Sequence, residues 1–379
     1  MGMFKTALTK QLAKSQSNNF GIENFDEYRF GKMNVEPSVP NGFFYSLKQL
    51  IKVIIGYNRK QKKRALDEII ERATIVLEKY EQGLEFLYNN IHPDSRQLIV
   101  NLVAYKILGY SKVKLPFNNP QYWKSIETAK KLKEGNDTYD PHFLHFILDK
   151  FNLNPIGYDI KIFFSEVGIA IDFIAEQYAY KLEGKTTVQV KKGDVVLDLG
   201  GCWADTALYF AYKIGAGGKV YSFEFIPDNI KLHNVNTDLN PVLKQRITVV
   251  PNPVSSVSGQ KIYFKDHGPG SKVEFQPFKE QTGSAETISI DDFVRRNVIK
   301  QIDFIKMDIE GAELLALQGA IETIRMFKPI LAIAIYHSME DFINIPKWIV
   351  DLNLDYELFI GHYTIHAEET ICFAKPKSK

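Results

Sequence analysis

Residues 195–206 constrain the fold more than any other part of this sequence. An apolar run ends at Asp198, the pair Gly200 and Gly201 follows, and residues with helical periodicity begin at Thr206. This order predicts a buried strand, a tight turn and a helix. Glycines at such a turn let the backbone approach a ligand closely, and the helix N-terminus offers unpaired N–H groups. The stretch therefore predicts a nucleotide-binding corner.

The glycine spacing argues against a dinucleotide at this corner. A dinucleotide fingerprint requires glycine at three positions in the pattern G-x-G-x-x-G. Counted from Gly200, the second and third positions hold Cys202 and Asp205, and counting from Gly201 gives no glycine either. The interpretation as an NAD site therefore fails at the turn.

Two acids at predicted strand ends favour S-adenosylmethionine instead. Asp198 stands beside the turn, where it suits a cationic amino group better than a pyrophosphate. Glu224 ends the next predicted strand, where a carboxylate binds the two hydroxyls of a ribose. S-adenosylmethionine has an amino acid end, a sulfonium and a ribose, but no phosphate. Asp198 and Glu224 therefore predict this cofactor, held at both ends.

Three segments of the C-terminal half share a family pattern. They are DLGGCWADT at residues 198–206, VYSFEFIP at 220–227 and IKMDIEGAE at 305–313, of which the last is the most specific. Together they resemble the FkbM family of S-adenosylmethionine-dependent methyltransferases, and the resemblance extends over roughly residues 175–375. Ala204 stands where the family usually has the third glycine of the turn, and its methyl group narrows the turn.

Strand-like and helical segments alternate after residue 166, which predicts a parallel sheet with crossover helices. The predicted fold class is α/β, and the resemblance implies a Rossmann-like class I methyltransferase domain with a mostly parallel, seven-stranded sheet. We predict a loosely structured arm over residues 1–40, a mainly helical domain that shapes the acceptor site over 41–165, and the cofactor-binding domain over 166–379. Glycine and proline within residues 261–286 predict a flexible loop.

The predicted cofactor residues lie at the turn, at the first strand ends, or just before the first strand. The resemblance implies that Gln177 or Tyr178 reaches the methionine end, with a plain surface position as the alternative. Asn252 ends the third predicted strand, beside the expected adenine. The complete predicted set is Asp198, Gly200, Gly201, Cys202, Thr206, Glu224, Phe225, Asn252, Gln177 and Tyr178.

The candidates for catalysis are Asp308, His337 and His362, because each follows or ends a predicted strand. Methyl transfer to a hydroxyl requires alignment of the acceptor and a base for its proton. Histidine titrates near neutral pH, whereas Asp308 needs a raised pKa, which the like charge of Glu310 favours. In the alternatives, Asp308 and Glu310 hold a divalent cation or cap the helix near Gly311, and the histidines are structural.

The acceptor class follows mainly by exclusion. After the fourth predicted strand, residues 308–311 read Asp-Ile-Glu-Gly, not the Asn-Pro-Pro-aromatic turn common in methyltransferases of bases and amides. We therefore predict an O-methyltransferase for a hydroxyl of a glycan, glycoside or related secondary metabolite, in agreement with the resemblance. The alternatives are a non-catalytic adaptor that binds the cofactor and a methyltransferase of protein or nucleic acid.

Aromatic residues are frequent in the N-terminal half, where both a sugar-stacking cleft and ordinary core packing accommodate them. They are Tyr122, Trp123, Phe143, Phe146, Tyr158, Phe163 and Phe164. Residues 141–148 have a helical pattern and predict a helix.

Composition adds limits on partners and location. A net charge of +2 does not indicate a nucleic-acid partner, and we predict none. Cys202 and Cys372 have no metal-ligand spacing, so a reducing cytoplasm is expected. The sequence has no apolar run of membrane-spanning length. An apolar stripe and a basic cluster over residues 46–66 predict either a peripheral membrane contact or a solvated basic turn.

Overall fold

The computed structural model describes residues 2–15, 57–110, 112–144 and 146–377, with the side chains of residues 57–68 left out. The chain divides into two compact units. Unit 1 comprises Met1–Asn89, Arg96–Asn119 and Ile365–Ala367, and unit 2 comprises Asn90–Ser95, Pro120–Thr364 and Glu368–Lys379. Most of the basic segment 46–66 lies outside the described residues, and the boundaries at residues 40 and 165 stay predictions.

Unit 1 contains three helices within its described part: α1 (Met3–Lys14), α2 (Tyr57–Asn90) and α3 (Arg96–Leu108). Phe4, Leu8 and Leu12 follow one another at four-residue intervals and form the buried face of α1. The N–H groups of Met3 and Phe4 donate to the Glu85 carboxylate at 2.7 and 3.0 Å, which satisfies open donors at the helix start. Part of the predicted arm is thus helical, and residues 16–40 lie outside the description.

Unit 2 begins with a helix and a small sheet, not with further helices. Helix α4 (Pro120–Lys130) starts at a proline, which is favourable in a first turn. Strands β1 (Lys133–Tyr139), β2 (Leu148–Asn152) and β3 (Lys161–Phe164) then form an antiparallel sheet in that order. The helix predicted over residues 141–148 is wrong. His142 and Leu144 have φ of 55° and 49°, left-handed values that end a helix.

The segment before the central sheet is helical in two different ways. In the short α5 (Glu166–Gly168), the Gly168 N–H donates to the hydroxyl of the N-cap residue Ser165, and a π-helix (Ile169–Ala175) follows. The π-helix ends at Glu176, whose φ is 59°. The antiparallel pair β4 (Tyr180–Leu182) and β5 (Lys185–Val188) comes next. This geometry turns Gln177 and Tyr178 inward, where each is 3% exposed.

A seven-stranded sheet forms the centre of unit 2, in the order β14-β15-β13-β12-β6-β7-β8. Its strands are β6 (Val195–Leu199), β7 (Lys219–Phe223), β8 (Ile247–Val250), β12 (Phe304–Met307), β13 (Ile330–Ala334), β14 (Tyr356–His362) and β15 (Thr370–Pro376). Neighbours from β8 to β13 are parallel, and β15 is antiparallel to both of its neighbours. The predicted mostly parallel sheet is confirmed.

The connections place a switch point between β6 and β12. The chain runs outward from β6 through β7 to β8 and then returns to β12 on the other side of β6. Ligands of open α/β sheets bind at such a point, outside the carboxyl ends of the strands. The helices between these strands are α6 (Asp205–Ile214), α7 (Pro227–Asp238), α8 (Pro241–Lys244), α9 (Ile290–Arg296), α10 (Glu313–Gln318), α11 (Ile321–Phe327) and α12 (Met339–Asp351).

Residues 261–286 form a second small sheet instead of the predicted loop. Strands β9 (Lys261–Lys265), β10 (Lys272–Glu274) and β11 (Gly283–Glu286) pair antiparallel in the order β10-β9-β11. Ile262 and Phe264 alternate on the buried side of β9, and a side chain on Gly283 would meet the Phe264 ring. The period-2 pattern of β9 therefore outweighs the glycines and prolines around it.

The helices of the described residues are all too short or too polar to cross a membrane.

Candidate active site

The glycine turn lies tightly against the strands on both sides of it. Gly200 has a φ of +84°, a left-handed value that favours glycine. The N–H groups of Gly200 and Gly201 both donate to the Phe223 carbonyl, at 3.1 and 2.9 Å. A Cβ atom on Gly200 would lie 1.9 Å from the carbonyl oxygen of Asp308. The turn therefore touches both β7 and the residue that follows β12.

Lys306 fixes this turn from β12, although no role was predicted for it. Its Nζ donates to the carbonyls of Gly200 and Leu199 at 2.6 and 3.2 Å, and lies 3.3 Å from Oδ1 of Asp198. The Lys306 side chain is 3% exposed, and a buried ammonium is stable when such partners surround it. Burial acts to lower the pKa of Lys306, but the charges of Asp198, Asp308 and Asp205 raise it above its usual value.

Asp198 is fully buried, and three side chains engage its carboxylate. Thr206 donates to Oδ1 at 3.0 Å, Ser222 donates to Oδ2 at 3.2 Å, and Lys306 provides the ion pair. The sequence assigned Asp198 to the amino group of a cofactor. In the structure it holds the strand, the turn and the start of α6 together, and its contact with the amino group of a cofactor stays a prediction. Thr206 belongs to the same network.

Glu224 presents an oriented carboxylate at the end of β7. Its Oε1 accepts from the N–H groups of Phe225 and Ile226 at 2.7 and 2.8 Å, and Oε2 accepts from Asn229 at 3.2 Å. Asn229 in turn accepts from the indole of Trp203 at 3.1 Å. Burial raises the pKa of Glu224 to about 7, against the opposing effect of these hydrogen bonds. The carboxylate is therefore fixed at the predicted ribose position.

Other predicted cofactor residues follow the turn and the third strand. Cys202 lies in the turn with a φ of 38°, and burial raises the pKa of its thiol well above the usual value. Ala204, at the departure from the family pattern, has a φ of 71° and is fully buried. Asn252 follows β8 and donates to the Glu286 carbonyl at 3.1 Å. The turn thus contains two non-glycine residues in a left-handed conformation.

Gln177 and Tyr178 connect the segment before the first central strand to Asp308. Gln177 donates to Glu369 and to the Tyr178 hydroxyl, the latter at 3.4 Å. Tyr178 donates to Oδ2 of Asp308 at 3.5 Å, and Tyr336 donates to Oδ1 at 3.0 Å. The alternative that Gln177 and Tyr178 are surface residues is wrong, because both are buried.

His337 lies among three carboxylates at the ends of β12 and β13. Its Nε2 is 3.5 Å from Oδ1 of Asp308 and 3.6 Å from Oε2 of Glu310, and its Nδ1 is 3.5 Å from Oε1 of Glu313. Glu313 is fully buried, and burial raises its pKa to about 7. Partial burial and then the charge of Asp308 also raise the pKa of Glu310. The structure therefore joins Asp308 and His337, as their strand-end positions predicted.

The capping alternative for Asp308 and Glu310 does not match the local geometry. Helix α10 begins at Glu313, and its N-cap residue, Ala312, makes no side-chain cap. Glu313 itself accepts from the Ile309 N–H at 2.8 Å. Glu313 was quoted in the family string without a role, and its place in that string, five residues after Asp308, is the signal from which it could have been found.

His362 belongs to a different part of the sheet. It is 6% exposed, and its Nδ1 lies 2.9 Å from the Thr370 hydroxyl in the antiparallel pair of β14 and β15. The contacts that join Asp308, Glu313 and His337 do not include it. The structure therefore separates His362 from the other two predicted catalytic residues.

Two further acids were missed by the sequence analysis. Asp172 lies in the π-helix and is 9% exposed, and Asp205 begins α6. Burial, and then the charge of Asp205, raise the pKa of Asp172 well above its usual value. Burial raises the pKa of Asp205 to about 6. Both acids interact electrostatically with Lys306. A cationic ligand near the turn would lower the pKa of such buried acids and would be favoured by their ionised forms.

Aromatic rings gather beside the turn, on the side of the small sheets. Phe143 and Phe146 are nearly parallel, with an interplanar angle of 6° and centroids 5.8 Å apart. Phe143 is also 6.5 Å from Trp203 and 5.2 Å from His267. Phe143 and Phe146 are half-buried, so their rings are partly open to solvent. We call Phe143, Phe146 and Trp203 the aromatic cluster.

The strand order and the site together define a class I methyltransferase domain. The sheet has three parallel strands outward from β6 to β8, two on its other side, and an antiparallel pair at the far edge. The glycine turn and the strand-end acids lie at its switch point. Residues 184–358 match the family model described as the Methyltransferase FkbM domain, which is the family that the sequence motifs resemble. The predicted resemblance is confirmed.

Solved structures with a similar fold include the methyltransferase FkbM from Methylobacillus flagellatus KT, which is 19% identical, with a TM-score of 0.47. The match covers 79% of this chain and 59% of that one, so this chain spans less than two thirds of its length. Fibrillarin from Aeropyrum pernix, solved with natively bound S-adenosyl-L-methionine, is 15% identical over 63% and 100% of the two chains, with a TM-score of 0.37.

A SAM-dependent O-methyltransferase from Thermotoga maritima is 14% identical over 64% of this chain and 86% of that one, with a TM-score of 0.32. No curated protein matches this chain.

Proposed function

We propose that this protein binds S-adenosylmethionine and transfers its methyl group to a hydroxyl of a glycan, glycoside or related secondary metabolite. The observation that supports this most directly is the position of Asp308. It contacts Tyr178 and His337 while its own backbone adjoins Gly200 of the turn. A cofactor held by the turn would therefore place its methyl group near residues that handle protons.

The cofactor residues in this proposal are those at the switch point. Glu224 would accept hydrogen bonds from the ribose hydroxyls, because its carboxylate is already oriented at the end of β7. The backbone of Gly200, Gly201 and Cys202 would lie against the cofactor. Ionised acids near the turn would favour the sulfonium and the ammonium group.

The reaction is an in-line displacement at the methyl carbon. The acceptor oxygen forms a bond to that carbon as the carbon–sulfur bond breaks, and the bonding pair stays on sulfur as the neutral thioether. The hydroxyl proton goes to His337 or to Asp308, which lie side by side at the site. A divalent cation held at Asp308 would instead promote the reaction by polarising the hydroxyl.

The aromatic cluster supports a glycan acceptor. Phe143 and Phe146 offer partly exposed, nearly parallel rings, and Phe143 adjoins Trp203 in the turn itself. The apolar face of a sugar ring packs well on such rings, while its hydroxyls bind nearby polar groups. Residues 308–311 also lack the amide-type turn of base methyltransferases.

Calorimetry with S-adenosylmethionine, followed by transfer of a labelled methyl group to a panel of glycans and glycosides, tests the function. We expect saturable binding and labelling of a hydroxyl. An absence of saturable binding would overturn the proposal. Binding without transfer to any acceptor would favour the non-catalytic adaptor, for which the left-handed Ala204 in the turn is the supporting feature. Label in RNA or polypeptide would indicate the other alternative.

His337→Ala tests the proton acceptor. We expect kcat to fall by roughly 10²- to 10⁴-fold, the usual contribution of a general base, while the cofactor Kd changes by less than about threefold. The exposed His142→Ala is the control, and it leaves both quantities unchanged. An equal loss of kcat and of cofactor affinity in His337→Ala would mean that the residue supports structure.

A further inference from the structure

Three side chains at the ends of β12 and β13 and the start of α10 place metal-binding atoms close together. Asp308, Glu313 and His337 each contribute one ligand atom, and these atoms lie within 4.8 Å of one another. Ligands that surround one ion at roughly 2.1–2.2 Å lie about 3.0–4.4 Å apart in octahedral geometry. Small side-chain shifts therefore suffice for all three to reach one ion.

Several atoms of this cluster are buried without a hydrogen-bond partner among the described residues. They are both ring nitrogens of His337 and Oε2 of Glu313. The Glu313 side chain is 0% exposed and that of His337 is 11% exposed, so solvent reaches them little. Buried polar atoms are normally satisfied, and an unsatisfied group points to an unseen partner. Nε2 of His337 faces Asp308 and Glu310, and its Nδ1 faces Oε1 of Glu313.

We propose that Asp308, Glu313 and His337 bind a divalent cation. Two carboxylates and one imidazole form a mixed oxygen and nitrogen donor set, which suits Mn²⁺ and Zn²⁺ better than a dedicated Ca²⁺ site. Glu310, whose Oε2 is 3.6 Å from Nε2 of His337, lies at the open edge of the cluster. One alternative from the sequence was that Asp308 and Glu310 hold the cation, and in this proposal the buried Glu313 takes the place of the exposed Glu310 as the main second carboxylate.

The cation site has a consequence for the chemistry, and that consequence rests on the proposed function. A ring nitrogen that coordinates a cation has no lone pair left for a proton. A given ring nitrogen of His337 can therefore take the proton of the acceptor hydroxyl or bind the cation, but it cannot do both at once. Binding of the cation itself is independent of methyl transfer, so it is measurable without an acceptor.

Electron paramagnetic resonance of Mn²⁺ added to the full chain, after treatment with a chelator, tests this site. We expect the signal of free Mn²⁺ to fall until one ion is bound per chain. Glu313→Gln and His337→Ala should each weaken binding by at least about tenfold, since even outer-shell changes at metal sites cost that much. Glu322→Gln, at an exposed glutamate on α11, is the matched control and should leave binding unchanged.

Spin-echo modulation on the unaltered protein provides a second measurement that does not depend on a variant folding. Bound Mn²⁺ should display coupling to an imidazole nitrogen. An unchanged free Mn²⁺ signal, a bound ion without nitrogen coupling, or undiminished binding in folded Glu313→Gln and His337→Ala would each overturn the site. Calorimetry with S-adenosylmethionine in chelator separates the two proposals. Cofactor binding without Mn²⁺ binding would overturn only the proposal of a cation site. Mn²⁺ binding without cofactor binding would overturn only the proposed function.

Discussion

Lys306 organises the site through its buried ion pair with Asp198 and its contacts with the turn. Their Cα atoms are direct partners across β12 and β6, so their side chains emerge on the same face of the sheet. Lys306 is nearly enclosed and Asp198 is fully enclosed, and each charge is stable there because the other is present. The same ammonium group also binds two carbonyls of the turn.

Lys306→Met removes that ammonium and keeps most of the side-chain volume. We expect the free energy of unfolding to fall by about 3–5 kcal/mol, because Asp198 is left as a buried charge without its partner. Urea unfolding followed by circular dichroism measures the loss. Lys231→Met, at an exposed lysine on α7, is the control and should leave the free energy of unfolding nearly unchanged. A loss of similar size in both variants would contradict the role of Lys306.

For single residues, the sequence predicted which of them lie at strand ends better than it predicted which groups their side chains contact. Asp308, His337 and Glu224 stand at strand ends, and the structure gathers Asp308 with His337 as expected. The role of Lys306 follows from the register of β12 on β6, which a single sequence does not reveal. Asp172 lies in a π-helix among apolar neighbours, but the sequence does not reveal that its carboxyl group interacts with Asp205 and Lys306.

Among the elements, the glycine turn has the strictest steric requirement. Gly200 and Gly311 both have left-handed φ values, +84° and +92°. A Cβ on Gly200 would collide with the backbone of Asp308, whereas a Cβ on Gly311 would meet no atom within 4 Å. A comparison of the two glycines therefore separates the cost of a left-handed backbone from the cost of the close approach to Asp308.

Gly200→Ala and Gly311→Ala test this separation. Gly311→Ala should destabilise the protein by about 1–2 kcal/mol, the usual cost of a left-handed alanine. Gly200→Ala should cost clearly more, because β6 and β12 must move apart, and it should also abolish cofactor binding. Urea unfolding and calorimetry measure the two effects. Equal destabilisation by both substitutions would mean that the close approach at Gly200 is unimportant.

The central strands were predictable because they are buried on both faces and read as continuous apolar runs. Short antiparallel strands lack that signal. Strands β1 to β3 contain many polar residues, and β1 is mostly exposed, so they resemble loops or helix fragments in the sequence. The small sheet of β9 to β11 was obscured by the glycines and prolines between its strands.

On the scale of the whole molecule, buried acids make stability depend on pH. Glu224 is 6% exposed, and its pKa is raised from an ordinary value near 4.5 to about 7. The folded protein therefore holds this proton more tightly than the unfolded chain does. The stabilising effect is complete below about pH 4.5 and is lost as the pH rises to about 7.

Glu224→Gln should reduce this pH dependence. For the parent protein, the free energy of unfolding should decrease between pH 5 and 7 by roughly 2 kcal/mol from this group, since one pKa unit corresponds to about 1.4 kcal/mol and both ends of the titration lie partly outside this range. Urea unfolding at several pH values measures the slope, and the exposed Glu322→Gln is the control. The same slope in the parent and in Glu224→Gln would show that Glu224 keeps an ordinary pKa.

Strand β12 connects the glycine turn with the residues around Asp308. Lys306 grips the loop beneath the proposed cofactor, and Asp308, two residues further along, meets His337 and the tyrosines. Lys306 lies in β12 and Asp308 follows this strand directly, so a shift of the backbone at one residue also shifts the other. If the proposed function holds, a substitution that changes acceptor binding at Asp308 therefore also changes how the turn holds the methyl donor.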